Sequence, residues 1–129
     1  MFEKSLPLEG GCRCGQVRIR IEAPPMLTMA CHCTGCQKMS SSAYSLSAAI
    51  PSSGFSVIKG DPVIGGLHGA SKHYFCPHCM SWIFTRPEGI DEFVNIRPTM
   101  LGQVHKKLML PDWFYASLQT SRKRALCIE

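Results

Sequence analysis

Cys12-Arg13-Cys14-Gly15-Gln16-Val17-Arg18-Ile19-Arg20-Ile21-Glu22 sets the reading of this chain. Residues 16–22 alternate strictly, with Val17, Ile19 and Ile21 on one face and Arg18, Arg20 and Glu22 on the other, which predicts a half-buried β-strand. The C-x-C pair stands at its entry. In extended backbone, residues two apart point to the same side, so both sulfurs can reach one metal ion. Their partners are expected in Cys76-Pro77-His78-Cys79, a C-x-x-C with the knuckle spacing of tetrahedral zinc. The two pairs are separated by 61 residues, so a shared ion would staple distant parts of the chain. Four thiolates around zinc make a closed, structural site.

A third motif, Cys31-His32-Cys33-Thr34-Gly35-Cys36, offers three sulfurs with no fourth cysteine nearby. Three protein ligands and an open position are the pattern of a reactive zinc site. His32 or the distant Cys127 could instead close the tetrahedron. The ring of His32, between two ligands, should point away from the metal they share. Cys127, two residues before Glu129, is expected to carry no metal.

Outward from the motifs, the pattern is mainly β. Pro24-Pro25 ends the first strand, residues 44–50 alternate more weakly, and Pro51-Ser52-Ser53-Gly54 is a turn. Residues 55–58 predict a strand ahead of the turn Gly60-Asp61-Pro62, residues 82–84 a strand after the knuckle, and residues 93–96 another. Helix is expected after Thr34 and over residues 112–118, with Asp112 as N-cap. No repeat or linker interrupts the chain, so residues 1–129 are expected to form one antiparallel β domain.

Composition sets the bounds. Of 129 residues, 45% are hydrophobic and 18% charged, a core-forming composition. No apolar run reaches the roughly 18 to 20 residues of a membrane span. The opening Met1-Phe2-Glu3-Lys4-Ser5-Leu6-Pro7 has no apolar stretch of a secretory signal, so the expected location is the cytoplasm, and seven of the eight cysteines are expected as metal ligands rather than in disulfides. The formal charge of +5 counts every cysteine as neutral; seven thiolates on two zinc ions would lower it to +2. Nucleic acid and membrane are therefore not expected partners, and Arg122-Lys123-Arg124 reads as a solvated tail. The oligomeric state is not legible.

The blocks Gly10-Gly11-Cys12-Arg13-Cys14-Gly15-Gln16-Val17-Arg18, Cys31-His32-Cys33-Thr34-Gly35-Cys36-Gln37-Lys38 and Phe75-Cys76-Pro77-His78-Cys79, in that order, resemble the glutathione-dependent formaldehyde-activating enzyme family, which includes centromere protein V. The resemblance implies a mainly β, tent-like arrangement of small antiparallel sheets holding two zinc ions. It implies a structural ion on Cys12, Cys14, Cys76 and Cys79, and a catalytic one on Cys31, Cys33 and Cys36. The family's named activity joins glutathione and formaldehyde into S-hydroxymethylglutathione and is classed with carbon–sulfur lyases, so the implied partner is a small thiol such as glutathione, or its aldehyde adduct. The alternative is a non-catalytic zinc-stapled module for a protein partner, or a thiol carrier. Two segments depart from the family pattern: Met80 stands where glycine usually follows the second knuckle cysteine, and Pro98-Thr99-Met100-Leu101-Gly102-Gln103 replaces an acidic turn. Beyond them only Pro111-Asp112-Trp113 matches, weakly.

Other residues carry two readings. Lys38 either faces the carboxylates of an anionic thiol or is a solvated helix lysine. His73 and His78 flank the knuckle and read as surface or packing residues before proton shuttles. Trp113, Phe114 and Tyr115 read as core before pocket wall.

Overall fold

The computed structural model describes residues 6–66 and 69–102. Nine strands and one helix follow in the order β1 (Leu8–Gly11), β2 (Arg18–Ile21), β3 (Leu27–Cys31), α1 (Thr34–Ser40), β4 (Ser45–Pro51), β5 (Phe55–Lys59), β6 (Val63–Gly65), β7 (Lys72–Phe75), β8 (Trp82–Arg86) and β9 (Phe93–Ile96). Short 3-10 turns occupy Ser52–Gly54 and Pro98–Leu101. Every strand pair is antiparallel. One sheet has the order β1-β2-β5 and the other β3-β4-β9-β8-β7-β6. The mainly β architecture expected from the sequence is the one found.

Alternation explains the smaller sheet. Val17, Ile19 and Ile21 are buried, while Arg18 and Arg20 stay half-exposed on the other face of β2. The strand begins at Arg18 rather than Gln16, because residues 12–17 form the hairpin loop between β1 and β2. Cys12 N donates to Val17 O at 3.0 Å and Gly15 N to Cys12 O at 3.1 Å. Gly15, with φ of 80°, takes a left-handed conformation open to glycine. The C-x-C pair therefore sits in a turn, not in the extended backbone expected.

The larger sheet has two faces of different chemistry. Register places Ala48, Ile50, Phe84, Val94 and Ile96 on one face, where they share a core with Ile19 and Ile21 of the smaller sheet. Phe55 of β5 meets Phe84 of β8 across the sheets, ring centroids 4.9 Å apart. On the opposite face the pairings Cys31↔Ser45 and Asn95↔Thr85, carried along the strands with period two, line up Cys31, Ser45, Ser47, Thr85, Asn95 and Arg97. β4 is thus buried on both faces, which is why its alternation is weak and its residues are small.

The register between β7 and β8 shifts at Tyr74/Phe75. Phe84 keeps to the core side, stacked on Tyr74 at 4.5 Å, whereas Trp82 lies against Phe75 and turns to the polar side, donating Nε1–H to Thr85 Oγ1 at 3.1 Å. Re-aiming a side chain in this way is a common effect of a bulge.

Strands over residues 55–58, 82–84 and 93–96 were expected and are present, with β5 and β8 running slightly longer, and the helix after Thr34 is α1. Strands β1, β3, β6 and β7 have no counterpart among the expected elements. The helix expected over residues 112–118 and the roles expected of Trp113, Phe114, Tyr115, Arg122, Lys123, Arg124 and Cys127 lie outside the described residues. Among the described residues no helix is long and apolar enough to cross a membrane.

Candidate metal centres and an adjoining cleft

Two groups of cysteines converge. The sulfurs of Cys12, Cys14, Cys76 and Cys79 all lie within 4.8 Å of one another, and so do those of Cys31, Cys33 and Cys36. These are the four-plus-three sets that the motif spacing brings to mind; each could hold a metal ion.

In the first group, Cys12 and Cys14 come from the β1–β2 loop of the smaller sheet, and Cys76 and Cys79 from the turn between β7 and β8 of the larger one. Cys14 Sγ is 3.6 Å from Cys12 Sγ and 3.7 Å from Cys76 Sγ. A tetrahedron with Zn–S bonds of about 2.3 Å has edges of about 3.8 Å, so this donor set fits zinc. Backbone N–H groups support the sulfurs as acceptors: Val17 N donates to Cys12 Sγ at 3.3 Å, and His78 N and Cys79 N to Cys76 Sγ at 3.4 and 3.5 Å. The Ser81 side chain pulls the Cys79 thiol down to about 5. Cys14 moves the other way, to about 11, because its three sulfur neighbours and some desolvation outweigh a lowering backbone contact at Gln16. Four thiols this close cannot all ionise without a cation between them.

The turn that carries the knuckle requires a left-handed residue, and Met80 supplies it at φ of 61°. Its N–H donates to Cys76 O at 2.9 Å. The glycine usual at this place in the family resemblance would take that conformation without strain. His78 is exposed beside this turn.

The second group is built by one chain reversal. Cys31 ends β3, Cys33 is the N-cap of α1, and Cys36 lies in its first turn. Cys33 Sγ accepts the Cys36 N–H at 3.2 Å, the bond an N-cap side chain makes. Cys31 and Cys33 are buried and Cys36 is half-buried. Cys33 is disulfide-bonded, against the expectation that the cysteines serve as ligands rather than in disulfides; the three-thiolate form of this group requires its reduction. Cys36 and then burial push the Cys31 thiol well above its ordinary value, partly offset by the charge of Arg97. His32 packs on Tyr44 at 5.3 Å and is not part of the cluster.

A cleft of about 460 Å³ adjoins this group, lined by Ser40 of α1, by Tyr44, Ser45 and Leu46 at the start of β4, and by Trp82, Arg97 and Thr99. Its volume is within the range of about 300 to 1,000 Å³ typical of small-molecule sites. Thr99 belongs to the Pro98–Leu101 turn, one of the two segments that depart from the family pattern.

The residue that sequence reasoning missed is Arg97. It is only 7% exposed. Its Cζ lies 3.8 Å from the Trp82 ring centroid. One terminal nitrogen donates to Ser45 Oγ at 3.1 Å, the other to Thr85 Oγ1 at 3.5 Å, and Nε has no partner among the described residues. Burial lowers its pKa to about 10, against the opposing charges of Cys36 and Cys31. Among the described residues no carboxylate pairs with it. The sequence signal was Asn95-Ile96-Arg97, two polar residues on one face of an apolar strand. Lys38 is exposed and does not line the cleft.

Thr85 Oγ1 is a hub. It accepts from Trp82 Nε1–H and from Arg97, so its own proton goes to His73 Nδ1 at 2.9 Å, which makes that nitrogen an acceptor.

Fold and site together define a class: a small, mainly β protein with two thiol clusters able to hold metal, one of them beside a cleft of small-molecule size. A family model described as glutathione-dependent formaldehyde-activating enzyme matches residues 7–115, and the chain belongs to that family. A protein of Halomonas elongata that carries this name provisionally is 28% identical over 123 residues, covering 82% of this chain and 78% of the relative. A crystal structure of a Rhodobacter sphaeroides protein superposes with a TM-score of 0.62 at 22% identity, covering 75% of this chain and 90% of the other, a likeness of fold.

Proposed function

We propose that this protein is a zinc-dependent carbon–sulfur lyase that joins a glutathione-type thiol to formaldehyde, giving the S-hydroxymethyl adduct, and releases it in reverse. Residues 1–129 would act as one zinc-binding domain. Cys12, Cys14, Cys76 and Cys79 would hold a structural ion, and Cys31, Cys33 and Cys36 a second one. The observation that carries this reading is the difference between the clusters: four donors converge at the first, three at the second, and a cleft of substrate size lies beside the second. The family description and the name of the Halomonas elongata relative supply the substrate class.

Zinc held by three thiolates would supply a cation that depresses the pKa of a nearby thiol. The chain's residues do the rest. In the reaction a bond forms between the thiol sulfur and the aldehyde carbon, the carbonyl π pair moves to oxygen, and the thiol proton ends on that oxygen. Tyr44, Trp82 and Leu46 wall the cleft and limit water around the small aldehyde, while the Ser40, Ser45 and Thr99 side chains offer hydroxyls to a polar substrate. A reducing compartment such as the cytoplasm would keep both donor sets as thiols, Cys33 included.

The test is the rate of S-hydroxymethylglutathione formation from formaldehyde and glutathione, followed by NMR exchange between substrate and adduct. The zinc-loaded chain should accelerate exchange, and Cys36→Ser should return it to the uncatalysed rate while the protein stays folded. Wild-type protein that leaves the rate unchanged, with both metals in place, would favour the binding-module alternative.

A further inference from the structure

Arg97 is a charge taken out of water without a carboxylate partner among the described residues, an arrangement that is costly unless something anionic completes it. Its plane is fixed by the Trp82 ring on one side and by the hydroxyls of Ser45 and Thr85 at its two ends. Thr85 is in turn fixed by Trp82 and His73, so the guanidinium has little freedom to turn away. Each terminal nitrogen carries two hydrogens, and among the described residues each gives one bond to the protein. Arg97 lines the cleft beside α1. A planar fork with spare N–H groups is matched by a carboxylate.

We infer that Arg97 is the anion-recognition residue of this cleft, binding a carboxylate carried on the same small molecule whose sulfur is held near Cys31, Cys33 and Cys36. The inference rests on the thiol chemistry proposed above and deepens it by naming the residue that distinguishes a carboxylated thiol from a neutral one. Arg97 serves both ends of such a molecule, since it lines the cleft and also lies within electrostatic reach of Cys31 and Cys36. Neutral thiols of similar size would lack the second anchor. Thr85 and Ser45 act as positioning residues for the fork.

The experiment is calorimetric titration of the full, zinc-loaded chain with three ligands: glutathione, its diethyl ester and S-methylglutathione. A charge-assisted pair of this kind is worth about tenfold to a hundredfold in affinity. Wild-type protein should bind glutathione at least tenfold more tightly than the diester, and Arg97→Gln should bind glutathione only as tightly as wild type binds the diester. Arg97→Lys, which keeps the charge without the fork, should recover part of the preference. Should Arg97→Gln fail to fold, the wild-type comparison of acid with ester decides alone. Equal binding of acid and ester by the wild type would overturn the inference while leaving the thiol reading intact. So would an Arg97→Gln variant that weakens both ligands equally, because Arg97 would then act only as counter-charge to the cysteines. Binding of S-methylglutathione with the same dependence on Arg97 would uphold the anion site even if glutathione showed no interaction through its thiol. No binding of glutathione or S-methylglutathione would overturn both.

Discussion

Met80 bears a backbone conformation that glycine takes without cost. A left-handed L-residue loses roughly 1 to 2 kcal/mol, and glycine returns part of that through its larger unfolded-state entropy. The Met80 side chain is 58% exposed, so little packing is lost on its removal. Met80→Gly should therefore stabilise the protein by about 0.5 to 1 kcal/mol, read as a rise of a few degrees in Tm. A fall in Tm would mean that Met80 makes a contact worth more than the strain. The same residue shows how the sequence can be read locally: the departure from the family pattern was visible, but its conformational meaning needed the turn from Cys76 to Ser81. Arg97 was legible only as a polar residue after an apolar strand. Its role depends on Ser45, Trp82 and Thr85, which lie 12 or more residues away in the chain, and no local pattern encodes that meeting.

Among the elements, β2 and β9 were legible because their inward residues are β-branched and regularly spaced. β1 was not, because Leu8-Glu9-Gly10-Gly11 has two glycines where a strand should have side chains. The structure gives the reason for one of them. A Cβ on Gly10 would collide with the carbonyl of Met100, where β1 packs on the Pro98–Leu101 turn. Backbone cannot yield as a side-chain end can, so Gly10→Ala should cost about 1 to 3 kcal/mol. It should also disturb the cleft, because Thr99 lies in the turn that would have to move. Chemical denaturation checks this, and a neutral Gly10→Ala would contradict the packing of β1. β3 and β7 escaped notice for a different reason. β3 is buried over Thr28, Met29, Ala30 and Cys31, so it shows no alternation, and β7 reads Lys72-His73-Tyr74-Phe75 with a register shift at its end.

At the scale of the whole molecule, the described residues form two sheets that share an apolar core, with four cysteines, two from each sheet's loops, converging between them. The convergence of these four cysteines was legible in the paired motifs, although the C-x-C reaches it through a turn rather than an extended strand. What spacing could not reveal was the division of the larger sheet into a core face and a polar face, since that depends on strand order. Structural zinc in small domains binds with about 10 to 16 kcal/mol, against a total stability of about 5 to 15 kcal/mol. Cys76→Ser should accordingly unfold or aggregate the protein, whereas Cys33→Ser should fold, because serine is itself a good N-cap for α1. Circular dichroism with zinc analysis distinguishes them: two retained zinc ions in both folded variants would refute the division of ligands.

The central claim is that the second cluster, unlike the first, leaves room for a thiol. Cobalt substitution at both clusters, followed by titration with mercaptoethanol, tests it most directly through the thiolate-to-metal absorption bands. The account predicts that added thiol changes the band of one of two bound ions, and that Cys33→Ser, still folded around the other ion, shows no response. Bands indifferent to thiol in the wild-type protein, or a response that persists in Cys33→Ser, would contradict it.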